Sequence, residues 1–264
     1  MRIGFIGGGY MGEALAAAFL KEGLVAAGDV RISDVAETRR SHLSSVYGVS
    51  VTDQNSEAAA GADVVVLAVK PQEFANVAAG LRGALSDGQT LLSIMAGVSI
   101  ARIVEETGHR AVVRVMPNTA AFVGQAMSVW TASDAVTGER KQAIAGLLGA
   151  LGRELQVGDE KYLDMATAVS GSGPGFVFLF LESMIEAGVQ IGLEREMAEE
   201  LSIQTLLGSA TMAREMDKQA EELRAMVTSK GGTTAAGLQV LEDAGFRRVI
   251  ADAVQATYER AKEL

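Results

Sequence analysis

A chain of 264 residues, 48% hydrophobic and 21% charged, holds enough apolar material for one large domain or two modest ones and is not a disordered sequence. Its formal net charge of −10 argues against nucleic acid or an anionic membrane surface as partner, so an anionic ligand needs a local site built from backbone N–H groups. The lack of cysteine excludes a disulfide framework, a thiolate metal site and a cysteine nucleophile; His42 and His109 have no second histidine at ligand spacing, and no metal site is expected.

The chain opens on an apolar strand, Arg2–Ile6, with no charged and apolar leader before it, which predicts a cytoplasmic protein. Further strands are predicted at Val30–Ser33, Ser50–Val51, Val64–Val69, Thr90–Ile94, Val112–Val115, Met127–Trp130 and Glu154–Val157. Helices are predicted between them at Gly12–Glu22, Ala36–Ser45, Asn55–Gly61, Pro71–Leu85, Ser99–Thr107 and Gly138–Leu151. This rhythm is that of βαβ units and a doubly wound parallel sheet over residues 1–160. The run Val64–Leu67 has no polar member, as a strand covered on both faces requires. Residues 161–264 read as helices alone: Pro174–Ile191, Arg195–Asp217, Gln219–Thr228, Thr234–Ala244 and Phe246–Leu264. Phe176–Leu181 is apolar on every side of a helix, which predicts a subunit interface, with the centre of a monomeric bundle as the alternative. It is too short to span a membrane and is followed by Glu182 and Glu186, so no membrane contact is expected.

The motifs that carry chemistry begin at Gly7-Gly8-Gly9-Tyr10-Met11-Gly12, a G-x-G-x-x-G run that follows a strand and opens a helix. In that context Gly7 permits the tight turn, Gly9 lets a pyrophosphate approach the backbone, and Gly12 lets the helix pack on the strand. Asp34 lies where an acid holds the ribose 2′-OH of NAD, yet Ser33, Arg39 and Arg40 offer groups for the 2′-phosphate of NADP. The two arginines read better as a solvated helix face, and the choice between NAD(H) and NADP(H) stays open. Val69-Lys70-Pro71-Gln72, Ala96-Gly97 and Met116-Pro117-Asn118-Thr119 end successive strands on the rim where such sheets bind ligands. Glu160 and Asp164, four apart, share a face if helical and then suit an ammonium or iminium group, or else form an exposed acidic face. Ser170-Gly171-Ser172-Gly173-Pro174 faces a ligand or caps the helix after it. Val227–Leu238 places Gly231-Gly232-Thr233-Thr234 before a helix, either as an anion seat or as a threonine-capped helix start.

Taken together, FIGGGYMGEAL at the start, AVKPQ at 68–72, MAGVSI at 95–100, RVMPNT at 114–119, SGSGP at 170–174 and VTSKGGTTAAGLQVLEDAGF at 227–246 resemble the pyrroline-5-carboxylate reductase family over essentially the whole chain. The chain departs from the family pattern at Lys230 and Ala120, where proline is usual, and at Gly175-Phe176, where Ala-Tyr is usual. The resemblance implies a Rossmann domain followed by an all-helical domain that dimerises, with members often assembling further into decamers. It implies cofactor contacts at Gly7, Gly9, Met11, Gly12, Ser33, Asn55, Ala68, Lys70, Pro71 and Ala96. Substrate contacts are implied at Glu160, Ser229, Thr233 and Thr234, with each active site drawing on two chains.

The implied reaction is NAD(P)H-dependent reduction of 1-pyrroline-5-carboxylate to L-proline, the last step of proline biosynthesis. It needs neither histidine nor cysteine, because a protonated imine is already electrophilic and positioning supplies much of the rate. Thr234 is then the expected proton relay, and Glu160 favours the cationic imine. The alternatives are a related imine or β-hydroxyacid reductase and a non-catalytic dinucleotide-binding regulator. β-Hydroxyacid dehydrogenases generally rely on a helical lysine that Pro174–Ile191 and Arg195–Asp217 lack internally.

Overall fold

The computed structural model describes residues 1–263 and packs as two units, Met1–Ser172 joined by the stretch from Thr257, and Gly173–Ala256. The packing boundary falls after the sequence boundary at residue 160, because the helix that follows Glu160 is tied to the sheet by an ion pair described below.

The first unit is built on an eight-stranded sheet: β1 (Ile3–Ile6), β2 (Val30–Ser33), β3 (Ser50–Thr52), β4 (Val64–Leu67), β5 (Thr90–Ser93), β6 (Val112–Met116), β7 (Ala126–Ala132) and β8 (Gly152–Gln156). Their spatial order is β3-β2-β1-β4-β5-β6-β7-β8; β1 to β6 run parallel, β7 pairs antiparallel with β6, and β8 is parallel to β7. The order reverses at β1, which pairs Ile3 with Val30 on one side and Val64 on the other. In an open α/β sheet a ligand crevice opens at such a point, beyond the carboxyl ends of the strands.

Strand alternation explains why both faces are covered. Ile3, Phe5, Val66, Leu92, Val113 and Val115 face one core cluster with Leu15 and Phe19 of α1 (Tyr10–Lys21) and Leu43 of α2 (Glu37–Tyr47). Ile6, Val65, Leu67, Leu91 and Val112 face the other. That cluster also takes Ala58 and Ala59 of α3 (Asn55–Ala59), Phe74, Val77 and Leu81 of α4 (Phe74–Leu81), and Ile103 of α5 (Ile100–Thr107). Phe19 sets the seat of α1: its ring lies 6.2 Å from that of Phe5 and both are fully buried, each burial worth roughly 1.5–3 kcal/mol. Ile144, Leu147 and Leu148 of α6 (Gly138–Gly149) join the first cluster.

All eight strands fall within a few residues of their expected places. The predicted helix Pro71–Leu85 is instead a 3-10 turn, Pro71–Glu73, followed by α4, which stops before Gly83 at φ +78°. One helix was not predicted: α7 (Lys161–Ala166), which passes through a π turn at Thr167–Gly171 into α8 (Gly173–Gln190).

The second unit holds α8 with α9 (Arg195–Glu215), α10 (Ala220–Met226), α11 (Thr233–Asp243) and most of α12 (Phe246–Lys262). α8 packs on α9 where Gly188 meets Ala198, but no residue of α8 is buried, and Val177, Phe178 and Leu179 stay more than half exposed. Leu201, Ile203 and Leu207 of α9 and Val249 of α12 are exposed as well. That finding counts against the monomeric-bundle alternative, because these helices bury little of their apolar surface within the chain. The continuous helical run Lys161–Gln190 is long and apolar enough by composition to cross a membrane, and only 6% of its most apolar window is buried.

Candidate active site

The loop after β1 has the three properties the fingerprint predicts. Gly7 has φ +100°, and a Cβ there would lie 2.7 Å from the Ala68 carbonyl oxygen; its N–H donates to Ser33 O at 2.9 Å. A Cβ at Gly12 would collide with the Gly7 carbonyl oxygen, so α1 can approach the loop only with glycine there. Gly9 is exposed, and a Cβ on it would meet nothing within 4 Å. The space beside Gly9 at the start of α1 is thus open, as the close approach of a ligand to this backbone requires. Met11 is partly buried against the first core cluster.

Gly8 is held from both sides. Its N–H donates to Asp34 Oδ2 at 2.9 Å, and its carbonyl oxygen accepts from Nε of Arg39 at 2.9 Å. Arg39 also pairs with Glu13 Oε2 at 2.6 Å, while Glu13 Oε1 accepts from His42 Nε2 at 2.9 Å and from the Tyr47 hydroxyl at 3.0 Å. Burial raises the Glu13 carboxyl, but the hydrogen bonds from Arg39, His42 and Tyr47, with the Arg39 charge, outweigh it and hold the group below the usual carboxylate range. Burial and the Glu13 carboxylate together raise the Tyr47 phenol.

Three readings of the β2 end change in consequence. Arg39 and Arg40 are not a solvated face: Arg39 grips the glycine loop, and Arg40 Nη1 donates to Asp34 O and Val35 O at 2.8 and 3.0 Å. Asp34 is not a free acid, since its second oxygen accepts from Ala36 N–H at 2.9 Å. Ser33 is fully buried, and its hydroxyl is shared between Asn55 Oδ1 at 2.8 Å and Phe5 O at 3.2 Å, leaving no hydroxyl surface for a 2′-phosphate.

On the rim, Ala68 and Pro71 are partly buried, Lys70 is exposed, and Ala96 is half-buried beside Gly97 at φ +72°. Asn118, just past β6, accepts from Ala120 N–H at 3.2 Å through Oδ1 and donates from Nδ2 to Ser170 O at 3.2 Å. The first of these bonds requires the N–H that a proline at position 120 would lack. Tyr10 of α1 packs against Phe122, the two rings tilted and their centroids 4.1 Å apart.

Glu160 and Asp164 share a face, as their spacing predicts, but that face turns inward. Arg114 of β6, its side chain 3% exposed, donates from Nη1 to Glu160 Oε1 at 3.0 Å and from Nη2 to Asp164 Oδ1 at 2.9 Å. Glu160 Oε1 also accepts from Ile100 N–H at 2.8 Å. The exposed-acidic-face alternative is overturned, and the cation that Glu160 meets belongs to the chain itself. Nothing in the sequence around Arg114, flanked by valines in a buried strand, marks this role.

In the helical unit, Gly231 has φ +73°, Gly232 N–H donates to Ser229 O at 3.0 Å, and Gly232 itself occupies the N-cap of α11 with no side-chain cap. The threonine-cap alternative is thereby corrected. Ser229, Lys230, Thr233 and Thr234 are all exposed, so the helix starts bare.

A mostly parallel sheet whose strand order reverses at β1, with a glycine loop open at Gly9, defines a protein of the Rossmann-type dinucleotide-binding class with a helical second unit. The family model described as pyrroline-5-carboxylate reductase dimerisation matches residues 160–264, and that of coenzyme F420-dependent NADP oxidoreductase matches residues 2–97. The chain is 39% identical to the pyrroline-5-carboxylate reductase of Synechocystis sp., covering 100% of this chain and 98% of the relative, and 40% identical to that of Pseudomonas aeruginosa, covering 100% and 96%. It is similar to the crystal structure of Plasmodium falciparum pyrroline carboxylate reductase with NADP bound, at a TM-score of 0.92 and 32% identity over 100% of this chain and 97% of that one. The chain belongs to the pyrroline-5-carboxylate reductase family, and it is an NAD(P)H-dependent oxidoreductase.

Proposed function

We propose that the chain reduces 1-pyrroline-5-carboxylate to L-proline with the bare start of α11 as its substrate seat. The observation that carries this is the Gly232 N-cap: no side chain caps the helix, so its first N–H groups remain for a ligand. Those donors, at the positive end of the helix dipole, suit the substrate carboxylate, with Thr233 and Ser229 beside them. Lys230, in place of the family's usual proline, adds positive charge to that turn. The Thr234 hydroxyl bonds the ring nitrogen and relays its proton. The dinucleotide, when bound, supplies the hydride that adds to the C=N carbon.

Gly7, Gly9, Met11 and Gly12 are assigned to the pyrophosphate, and Ala68, Lys70, Pro71 and Ala96 to the nicotinamide half. Ser33 acts by fixing the Asn55 side chain near the end of β2, the strand end at which this fold holds the ribose. Glu160 is assigned to the cationic imine, oriented for it by Arg114 and by the Ile100 N–H, both of which engage Oε1. Residues 1–160 thus serve the cofactor, and 161–264 serve substrate and dimerisation. We read the chain as a cytoplasmic homodimer, able to assemble to a decamer, that contacts neither membrane nor nucleic acid.

Purified protein incubated with 1-pyrroline-5-carboxylate and NADPH or NADH is expected to oxidise the cofactor, followed by loss of its absorbance. No oxidation with either cofactor rejects the reaction. Thr234→Ala is expected to lower kcat/KM at least tenfold; a loss below about threefold, under about 0.7 kcal/mol, removes Thr234 from the mechanism.

A further inference from the structure

One face of β6 organises the segment that follows Glu160. Residues two apart on a strand share a face, and Arg114 and Met116 on β6, with Asn118 just beyond it, keep that spacing. Each meets a successive part of the α7–π segment. Arg114 binds Glu160 and Asp164, a Cβ on Gly171 would sit 3.4 Å from Met116 Sδ, and Asn118 Nδ2 donates to Ser170 O at 3.2 Å. The segment includes the π turn Thr167–Gly171, a local irregularity that often marks functional sites.

Arg114 is the costly member of this set. Its guanidinium is almost wholly buried, and its Nε has no hydrogen-bond partner among the described residues. A well-packed apolar residue generally serves stability as well as a buried ion pair does, so a stability role alone gives little reason for an arginine here. What an arginine does that an apolar residue cannot is fix two carboxylates at once through a planar fork. Glu160 in turn receives the N–H of Ile100 at 2.8 Å, so the clamp ties the start of α5, after β5, to α7 as well as to β6. Ala96-Gly97 and Asn118 lie after those same two strands, on the rim where the nicotinamide half of a dinucleotide belongs.

We propose that Arg114 is a positioning residue for hydride transfer: by holding Glu160 and Asp164 it fixes the π turn, and through Asn118 the β6 rim, against which the nicotinamide is placed. Asp164 acts through Arg114, and Glu160 is oriented by it. This inference rests on the reductase reading, which turnover by the unmodified enzyme tests separately.

The test uses the full-length enzyme with Arg114→Lys, Glu160→Gln and Asp164→Asn, each measured per cofactor-binding site by active-site titration. Steady-state kinetics are read with the protiated reduced cofactor and with cofactor deuterated at the transferred position. Arg114→Lys keeps the charge and loses the fork. It is expected to lower kcat at least tenfold, leave the cofactor KM within threefold, and raise the isotope effect as hydride transfer becomes limiting. Glu160→Gln and Asp164→Asn are expected to shift kcat and the isotope effect in the same direction, by threefold or more in kcat. A purely structural role lowers melting temperature and the fraction of active sites while kcat per site and isotope effect stay put, and that result overturns the proposal. Should Arg114→Lys fail to fold, the two carboxylate variants decide it: kcat per site within 1.5-fold of the parent in both overturns it equally.

Discussion

Arg39 and Gly8, separated by 31 residues, are joined by two hydrogen bonds: Nε and Nη2 of the guanidinium donate to the Gly8 carbonyl oxygen at 2.9 and 2.5 Å. With Asp34 holding the Gly8 N–H, the glycine loop is braced from both sides by side chains of the chain itself, an arrangement that lowers the ordering cost of binding a ligand there.

Replacing Arg39 with methionine keeps the aliphatic stem and removes the donors. Charged hydrogen bonds of this kind contribute about 1.5 kcal/mol at the low end, so cofactor affinity is expected to fall roughly tenfold. Titration of the bound reduced cofactor by its fluorescence reads the change directly. An affinity equal to that of the parent means that Asp34 alone holds the loop.

Glu13 gives the fold an acid-sensitive point. Its folded pKa lies below the ordinary 4.5, so its contribution is fully present above the unfolded value and is lost as pH falls through the folded one. Urea melts between about pH 3 and 7 are expected to show a steeper loss of stability on the acid side for the parent than for Glu13→Gln. Parallel acid limbs for the two proteins contradict this.

The glycines of the fingerprint are expected to separate stability from binding. Gly12→Ala sets a Cβ against the Gly7 carbonyl oxygen and so displaces α1, lowering both the melting temperature and cofactor binding. Gly9→Ala places its Cβ in open space at an ordinary backbone angle, φ −68°, and is expected to cost about 1 kcal/mol or less of stability as a poorer N-cap. It nevertheless occupies the volume assigned to the pyrophosphate. A large loss of cofactor affinity with a melting temperature near the parent's is the expected pattern.

The exposed face of α8 predicts the oligomer. Phe178→Asp or Leu179→Glu places a charge on a surface 63% exposed at each position in the single chain. Sedimentation is expected to show dissociation of the parent assembly, because a buried unpaired carboxylate is costly. A variant that sediments like the parent removes this face from the interface.

Much of the fold was legible because its signals are local. A strand covered on both faces must be apolar at consecutive positions, as Val64–Leu67 is, and a helix that approaches a strand end closely must carry glycine, as at Gly12. The π turn at Thr167–Gly171 was not legible, since an i→i+5 turn has no residue signature of its own and Phe176–Leu181 beyond it is apolar on every side, which hides any shift of face. Nor was the N-cap of α11: Gly232 and Thr233 are adjacent and both residue types cap helices, so the sequence leaves the choice between them open.

By itself the sequence determined the strand and helix order, the dinucleotide fingerprint and the family, all of which rest on short-range periodicity or contiguous motifs. Only the tertiary structure decided where the charges go. Arg39 reads as a surface residue until Gly8 and Glu13 close around it, and Glu160 reads equally well as part of an exposed acidic face until Arg114, 46 residues earlier, pairs with it. An ion pair needs proximity alone, and proximity between distant residues exists only once the sheet has stacked β6 under the helix that follows it.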